Sequence, residues 1–122
     1  MKKILIAEDE ISLLEMFSSI IENSGNFKIT KAIDGEDAIK KIIENYPDII
    51  LLDIMMPKKD GIDVLIDLKS NPKTKNIPVI ILSNISDKTQ IEKALDLGAC
   101  DYMVKSNIHL KDISNIINKY SN

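Results

Sequence analysis

The sequence has very little of the side chains that build several common kinds of site. One cysteine, Cys100, excludes an internal disulfide, and one histidine, His109, is too few for a transition-metal site of His and Cys ligands. Arginine is absent, the lysines are scattered and the net charge is -3. Nucleic-acid grooves need a basic stripe, so no direct binding of DNA or RNA is expected.

Long apolar runs are also missing. No apolar run approaches the ~20 residues of a membrane-spanning helix, so no membrane segment is expected. Two lysines near the start are followed by only four apolar residues before the first acidic one, which is too short for a signal peptide. The sequence therefore predicts a cytoplasmic protein.

Short apolar segments are what the chain does contain. Apolar residues make up 44% of the 122 residues, and segments of strand length occur at 3–7, 27–32, 49–52, 79–82 and 102–104. Apolar stripes with helical spacing separate these segments. Gly25 and Gly98 are predicted to end helices, and Asp34 or Gly35, Asp60 and Asp87 are predicted to cap helix starts. The strict alternation predicts a single α/β domain over residues 1–122, with no output domain.

The character of the strands predicts their arrangement. The first, third and fourth segments are nearly continuous in Ile, Leu and Val, as in parallel strands covered on both faces. Five βα units are too few for an eight-stranded barrel, so we expect a doubly wound, five-stranded parallel sheet, (βα)5, in the order 2-1-3-4-5. This flavodoxin-like order makes the first and third strands neighbours and places a crevice beyond their carboxyl ends.

Acidic residues stand where that crevice is predicted. Glu8 and Asp9 directly follow the first strand segment, and Asp53 directly follows the third. Ser83 and Lys105 follow the fourth and fifth segments at the same edge of the sheet. Five polar side chains are therefore expected to share one edge.

This combination predicts a specific chemistry. Clustered carboxylates repel one another, and oxygen ligands without His or Cys suit Mg²⁺, with Mn²⁺ as an alternative. A carboxylate is also a nucleophile toward phosphorus, which makes Asp53 a candidate to form an aspartyl phosphate. Lys105 supplies a positive charge for phosphate oxygens, and the Ser83 hydroxyl can donate to another of them.

Each residue also has an ordinary interpretation. Acidic residues before a helix, such as Glu8 and Asp9, are commonly caps, and the segment 12–15 has the pattern of a capping box. Asp53 precedes a proline-containing loop and resembles a turn residue. Ser83 alone would be a cap or loop hydroxyl, and Lys105 alone a solvated lysine. The joint placement of all five favours a site.

The motifs resemble those of the receiver domain of two-component response regulators. They are Glu8-Asp9 after Ile-Leu-Ile-Ala, Leu51-Leu52-Asp53-Ile54-Met55-Met56-Pro57 with Asp60-Gly61, Ile80-Ile81-Leu82-Ser83, and Gly98-Ala99-Cys100-Asp101-Tyr102-Met103-Val104-Lys105. The resemblance covers essentially the whole chain, which is chemotaxis-regulator-like. At two positions the chain departs from the family. Glu8 stands where aspartate is usual, and Ser106 stands where proline follows the lysine through a cis bond.

The resemblance implies roles for these residues. Asp53 would be the phosphoacceptor, and Asp9 and Asp53 would bind Mg²⁺ with the backbone carbonyl of Met55, with Glu8 helping directly or through water. Ser83 and Tyr102 would form the switch pair, in which the hydroxyl moves to the phosphoryl group and the ring changes rotamer.

The resemblance also implies partners and a signalling surface. A histidine kinase or phosphotransfer protein would supply the phosphoryl group. The face formed by the fourth helix, fifth strand and fifth helix would bind an unknown downstream partner. The chain would not be an enzyme beyond its own phosphotransfer and autodephosphorylation.

Three other functions compete. A Mg²⁺-dependent phosphohydrolase of the haloacid-dehalogenase type needs a second aspartate two residues after the nucleophile, where Met55 stands. A flavin or nucleotide binder needs a phosphate loop rich in Gly, Ser or Thr after the first strand, where Glu8, Asp9 and Glu10 stand instead. A degenerate receiver would act as a docking module independent of phosphorylation.

Overall fold

Five strands and five helices alternate along the part of the chain that the structure describes. The computed structural model describes residues 1–85 and 87–121; Ser86 and Asn122, which belong to the predicted domain 1–122, lie outside these ranges. The elements are β1 (Lys2–Ala7), α1 (Ile11–Ser24), β2 (Phe27–Ala32), α2 (Gly35–Asn45), β3 (Ile49–Leu52), α3 (Gly61–Ser70), β4 (Val79–Ser83), α4 (Lys88–Asp96), β5 (Asp101–Val104) and α5 (Leu110–Tyr120). A 3₁₀ turn, Lys105–Asn107, joins β5 to α5. Each predicted strand agrees with the structure to within one residue at either end.

The sheet has the predicted order, β2-β1-β3-β4-β5, and every neighbouring pair is parallel. In the β1–β3 pair Ala7 lies opposite Leu52, so both strands end at the same level. In the β4–β5 pair Ser83 lies opposite Val104. The residues that follow Ala7, Leu52 and Val104 therefore emerge at one edge of the sheet.

Alternate residues of β1, β3 and β4 pack on opposite faces, which explains why these strands are nearly continuous in apolar residues. Leu5, Ile50 and Ile81 belong to a core shared with α2, α3 and Ala94 of α4. Ile4, Leu51 and Ile80 belong to a second core with α1 and α5. Because both faces are buried, none of these strands has room for an alternating polar pattern.

The predicted helix caps are present. The carboxylates of Asp34, Asp60 and Asp87 accept hydrogen bonds from backbone N–H groups in the first turns of α2, α3 and α4. Gly25 follows α1 directly, and Gly98 turns the chain after α4 with a φ of 113°, a conformation that favours glycine. These ends set the lengths of the helices and bring each following strand back to the sheet.

Within the described ranges, no helix has the length and apolarity needed to cross a membrane.

We predict that Asp34→Ala lowers the free energy of unfolding by about 1 kcal/mol, because the Asp34 carboxylate accepts the Asp37 N–H at 2.7 Å. Urea unfolding followed by circular dichroism measures the change. Asp34→Asn is the matched control, since asparagine caps helices nearly as well. Equal losses in both variants would show that the cap is not the source of the stability.

Candidate functional site

Parallel pairing of β1 with β2 and with β3 places the first acidic residues. The Asp53 N–H donates to the Ala7 carbonyl at 3.0 Å, and the Glu8 N–H donates to the Ala32 carbonyl at 3.0 Å. These bonds continue the ladder one residue beyond the strands and hold the backbone of both acidic residues. Glu8 and Asp53 are therefore rigidly placed, and only 3% and 6% of their surfaces are exposed.

The loop after β3 is held close beneath Asp53. The Gly61 N–H donates to the Ile54 carbonyl at 2.8 Å, and Asp60 caps α3. A Cβ at Gly61 would lie 2.2 Å from the Asp53 carbonyl oxygen. Only glycine therefore allows α3 to start so near the strand end.

The strand ends enclose a cavity of about 180 Å³. The predicted site residues that line it are Glu8, Asp9, Asp53, Met55, Ser83 and Lys105, and Glu10 and Asn84 line it as well. The sequence interpretation missed these last two, although each directly follows a predicted site residue. Tyr102 does not line the cavity.

The carboxylates of Glu8, Asp9 and Asp53 converge. One oxygen atom from each lies within 4.8 Å of the others. Asp9 is exposed, whereas the other two are buried. Three oxygen donors at this separation, one of them open to solvent, fit a Mg²⁺ or Mn²⁺ ion that retains water ligands.

Lys105 is the cation that faces these carboxylates. Its ammonium pairs with Glu8 Oε1 and lies 3.3 Å from Asp53 Oδ2, and only 10% of the side chain is exposed. The interpretation of Lys105 as a solvated surface lysine is therefore wrong. The described peptide bonds are all trans, including that between Lys105 and Ser106, and the lysine still reaches the cavity.

Burial shifts the acidities of the site. Loss of hydration raises the pKa of Asp53 to about 6; Lys105 opposes this shift, and Glu8 adds to it. Burial, with the adjacent Glu8, also raises the pKa of Asp9. In both residues burial is the main cause and the nearby Glu8 carboxylate adds to it, so the charged forms are costly and a bound cation would relieve that cost.

Ser83 and Tyr102 both form hydrogen bonds with the backbone of Ile85. The Ser83 Oγ accepts the Ile85 N–H at 3.2 Å, and the Tyr102 hydroxyl donates to the Ile85 carbonyl at 2.7 Å. Ser83 is fully buried, with 1% exposed. The peptide groups of Ile85 therefore connect the two residues, a link that the sequence pattern does not reveal.

The capping interpretation of Glu8 and Asp9 is not supported. Helix α1 begins at Ile11 with Glu10 as its N-cap, and among the described residues the N-cap side chain makes no capping hydrogen bond. Glu8 Oε2 accepts the N–H of Glu10, at 3.1 Å, rather than one of the first turn. The capping box predicted over residues 12–15 is also wrong, because Ser12 lies inside the helix.

Comparison with known proteins identifies one family that matches most of the chain. A family model described as "Response regulator receiver domain" matches residues 4–118. The alkaline phosphatase synthesis transcriptional regulatory protein PhoP of Bacillus subtilis (strain 168) is 38% identical over 104 residues, which are 85% of this chain and 42% of that protein. The chain thus spans less than half the length of this curated relative.

Solved structures show the same similarity. The receiver domain of the Francisella response regulator 1452 superposes with a TM-score of 0.91 and 30% identity, covering 99% of this chain and 97% of that one. The Mn²⁺-bound form of response regulator Rcp1 superposes with a TM-score of 0.83 and 29% identity, covering 98% and 91%.

We predict that Gly61→Ala destabilises the fold by more than about 2 kcal/mol, since the new methyl group would meet backbone that cannot move away. Urea unfolding measures this. Gly25→Ala is the control, because its Cβ would meet only the ring edge of Phe27, and we expect a loss of about 1 kcal/mol or less. A loss at Gly61 no larger than at Gly25 would contradict the close approach.

Proposed function

Because this chain belongs to the response regulator receiver domain family, we propose that it is the phosphoacceptor module of a two-component signalling protein and is phosphorylated on Asp53. Receiver domains of this family are phosphoacceptors that bind Mg²⁺ at an acidic pocket. The observation that carries the residue assignment is the convergence of Glu8, Asp9, Asp53 and Lys105 on one cavity at the carboxyl edge of the sheet.

The proposed reaction is a transfer of the phosphoryl group to Asp53. A carboxylate oxygen of Asp53 attacks the phosphorus of a phosphohistidine on a sensor histidine kinase or phosphotransfer protein. The new O–P bond forms as the P–N bond breaks, and the imidazole leaves. The ammonium of Lys105, 3.3 Å from Asp53 Oδ2, is placed to neutralise charge on the transferred group.

A divalent cation completes the charge balance of the pocket. We assign Asp9 and Asp53, with the backbone carbonyl of Met55, as the groups that hold Mg²⁺ or Mn²⁺, and Glu8 lies beside them. The bound ion would neutralise the carboxylates and the incoming phosphoryl oxygens. The relative Rcp1, whose structure is a Mn²⁺-bound form, supports this choice of cation.

Ser83 and Tyr102 would transmit the effect of phosphorylation from Asp53 to the protein surface. A phosphoryl group on Asp53 would attract the Ser83 hydroxyl as a donor, and Ser83 holds the N–H of Ile85. Because Tyr102 holds the carbonyl of the same residue, movement at Ser83 would reach the tyrosine. We propose that α4, β5 and α5 carry this change to a downstream protein or effector domain.

The proposal does not include turnover of an external substrate. A phosphohydrolase would need an acid two residues after Asp53, and Met55 at that position is a thioether with 69% of its surface exposed. The chemistry proposed for this chain is limited to its own phosphorylation and dephosphorylation.

We predict that Mg²⁺ raises the melting temperature in a concentration-dependent manner, because the cation binds the folded carboxylate cluster and not the unfolded chain. Thermal unfolding at constant ionic strength measures the shift. Asp9→Asn is expected to remove it, whereas Asp96→Asn, at an exposed carboxylate ending α4, is expected to leave it unchanged. A melting temperature that does not change with Mg²⁺ concentration would argue against the cation site.

We also predict that a small acyl-phosphate donor with Mg²⁺ adds one phosphoryl group to the protein and that Asp53→Asn abolishes the addition. Intact-protein mass spectrometry measures the product, with Asp96→Asn as the control that still reacts. Labelling that survives in the Asp53→Asn protein would contradict the assignment. A wild-type chain that never becomes labelled would favour the degenerate docking module.

A further inference from the structure

Lys69, in the last turn of α3, is a half-buried lysine that the proposed site does not use. Its Nζ donates to the backbone carbonyls of Lys75 and Ile77, at 2.9 Å in each case. Lys69 takes part in none of the ion pairs found among residues 1–85 and 87–121. Within that part of the chain, its amine is therefore held by neutral acceptors and not by a carboxylate.

The aliphatic stem of Lys69 is covered by the turn that follows α4. A Cβ at Gly98 would lie 2.9 Å from Lys69 Cγ and 3.3 Å from Lys69 Cε, so the methylene groups pack over the bare Cα of this glycine. The loss of hydration lowers the pKa of Lys69, and Cys100, in the turn before β5, opposes this shift only in part. The surroundings therefore favour the uncharged amine more than water does.

The two hydrogen bonds of Lys69 also fit an uncharged amine. An ammonium group has three N–H donors, whereas a neutral amine has two donors and one lone pair. The carbonyls of Lys75 and Ile77 can accept both N–H groups of the neutral form, and the described residues offer Lys69 no third acceptor. Loss of the proton therefore costs no hydrogen bond to this part of the protein, and it leaves the lone pair available as a nucleophile.

We propose that Lys69 is a nucleophilic lysine that acyl phosphates acylate, so that it forms a second modification site at the end of α3 away from Asp53. The neutral Nζ attacks the carbonyl carbon of the acyl phosphate and forms a C–N bond. The C–O bond to the phosphate breaks, phosphate leaves with the electron pair, and the nitrogen releases a proton to water. One class of donor would thus react through its phosphorus with Asp53 and through its carbonyl carbon with Lys69.

The test compares the acylation of individual lysines in the folded protein. The protein is treated with acetyl phosphate at pH 8, the remaining amines are labelled with deuterated acetic anhydride in denaturant, and peptide mass spectrometry gives the acetylated fraction of each lysine. Lys93, which is exposed on α4, is the reference. We expect Lys69 to react faster than Lys93 by about 3-fold or more, because a larger fraction of its amine is neutral. An equal or slower reaction of Lys69 would overturn the inference.

Lys59 is the matched slow control. Its ammonium pairs with Asp67, and the hydrogen bond to that carboxylate raises the pKa of Lys59. We therefore expect Lys59 to react more slowly than Lys69. A faster reaction of Lys59 would show that exposure alone governs acylation, and it would contradict the inference.

Two further measurements test whether the fold is the cause. In concentrated urea the advantage of Lys69 over Lys93 should disappear, because the burial and the two hydrogen bonds are lost. Raising the pH from 8 to 10 should narrow the ratio of the two rates, since lysine amines in general begin to lose their protons near pH 10. An advantage that persists in urea, or a ratio that does not fall with pH, would argue against activation by the folded structure.

The variant Asp53→Asn separates this inference from the proposed function, on which it does not depend. The variant should lose phosphoryl addition and still acetylate Lys69 at the wild-type rate. Acetylation of Lys69 that disappears in Asp53→Asn would contradict a direct reaction at the lysine. A wild-type protein that is acetylated at Lys69 but never phosphorylated would count against the proposed function alone.

Discussion

The parallel pairing of β1 with β3 is the constraint on which the rest of the site depends. It brings Ala7 opposite Leu52 and continues one step further through the hydrogen bond from the Asp53 N–H to the Ala7 carbonyl. Acidic groups that are 45 residues apart in sequence thereby become neighbours on a rigid edge. A slip of one residue in either strand would turn the acidic side chains toward the opposite face of the sheet, because alternate residues point to opposite faces.

Charge in a mostly apolar surrounding is the second constraint. The strands that lead to the pocket are almost completely buried, so the carboxylates at their ends lose hydration, and the pKa of Asp53 rises to about 6. Lys105 reduces this cost by placing one positive charge against two of the carboxylates. A divalent cation would neutralise the remaining negative charge. The repulsion among the carboxylates therefore destabilises the pocket without a cation and favours cation binding.

The sequence predicted the fold closely because its signals are local and strong. Continuous Ile, Leu and Val segments, helical stripes between them, and capping aspartates at Asp34, Asp60 and Asp87 each depend on nearby residues. The topology then followed from general rules for parallel sheets, and it placed Asp53, Ser83 and Lys105 correctly around one cavity. The predictions that proved wrong were the ordinary interpretations of single residues, such as the caps at Glu8 and Asp9 and the solvated Lys105. Each of these interpretations treated one residue alone, without its neighbours on the adjacent strands and loops.

The sequence by itself determined that five βα units form one α/β layer structure and that acidic residues occupy the ends of two strands, since these properties follow from residue spacing. Only the tertiary structure decided that Lys105 contacts both Glu8 and Asp53, that the peptide groups of Ile85 connect Ser83 with Tyr102, and that Gly61 must approach the Asp53 carbonyl. The physical reason is that these contacts join residues from different loops. Their distances depend on how strands, helices and buried side chains pack together, and no local pattern in the sequence encodes that packing.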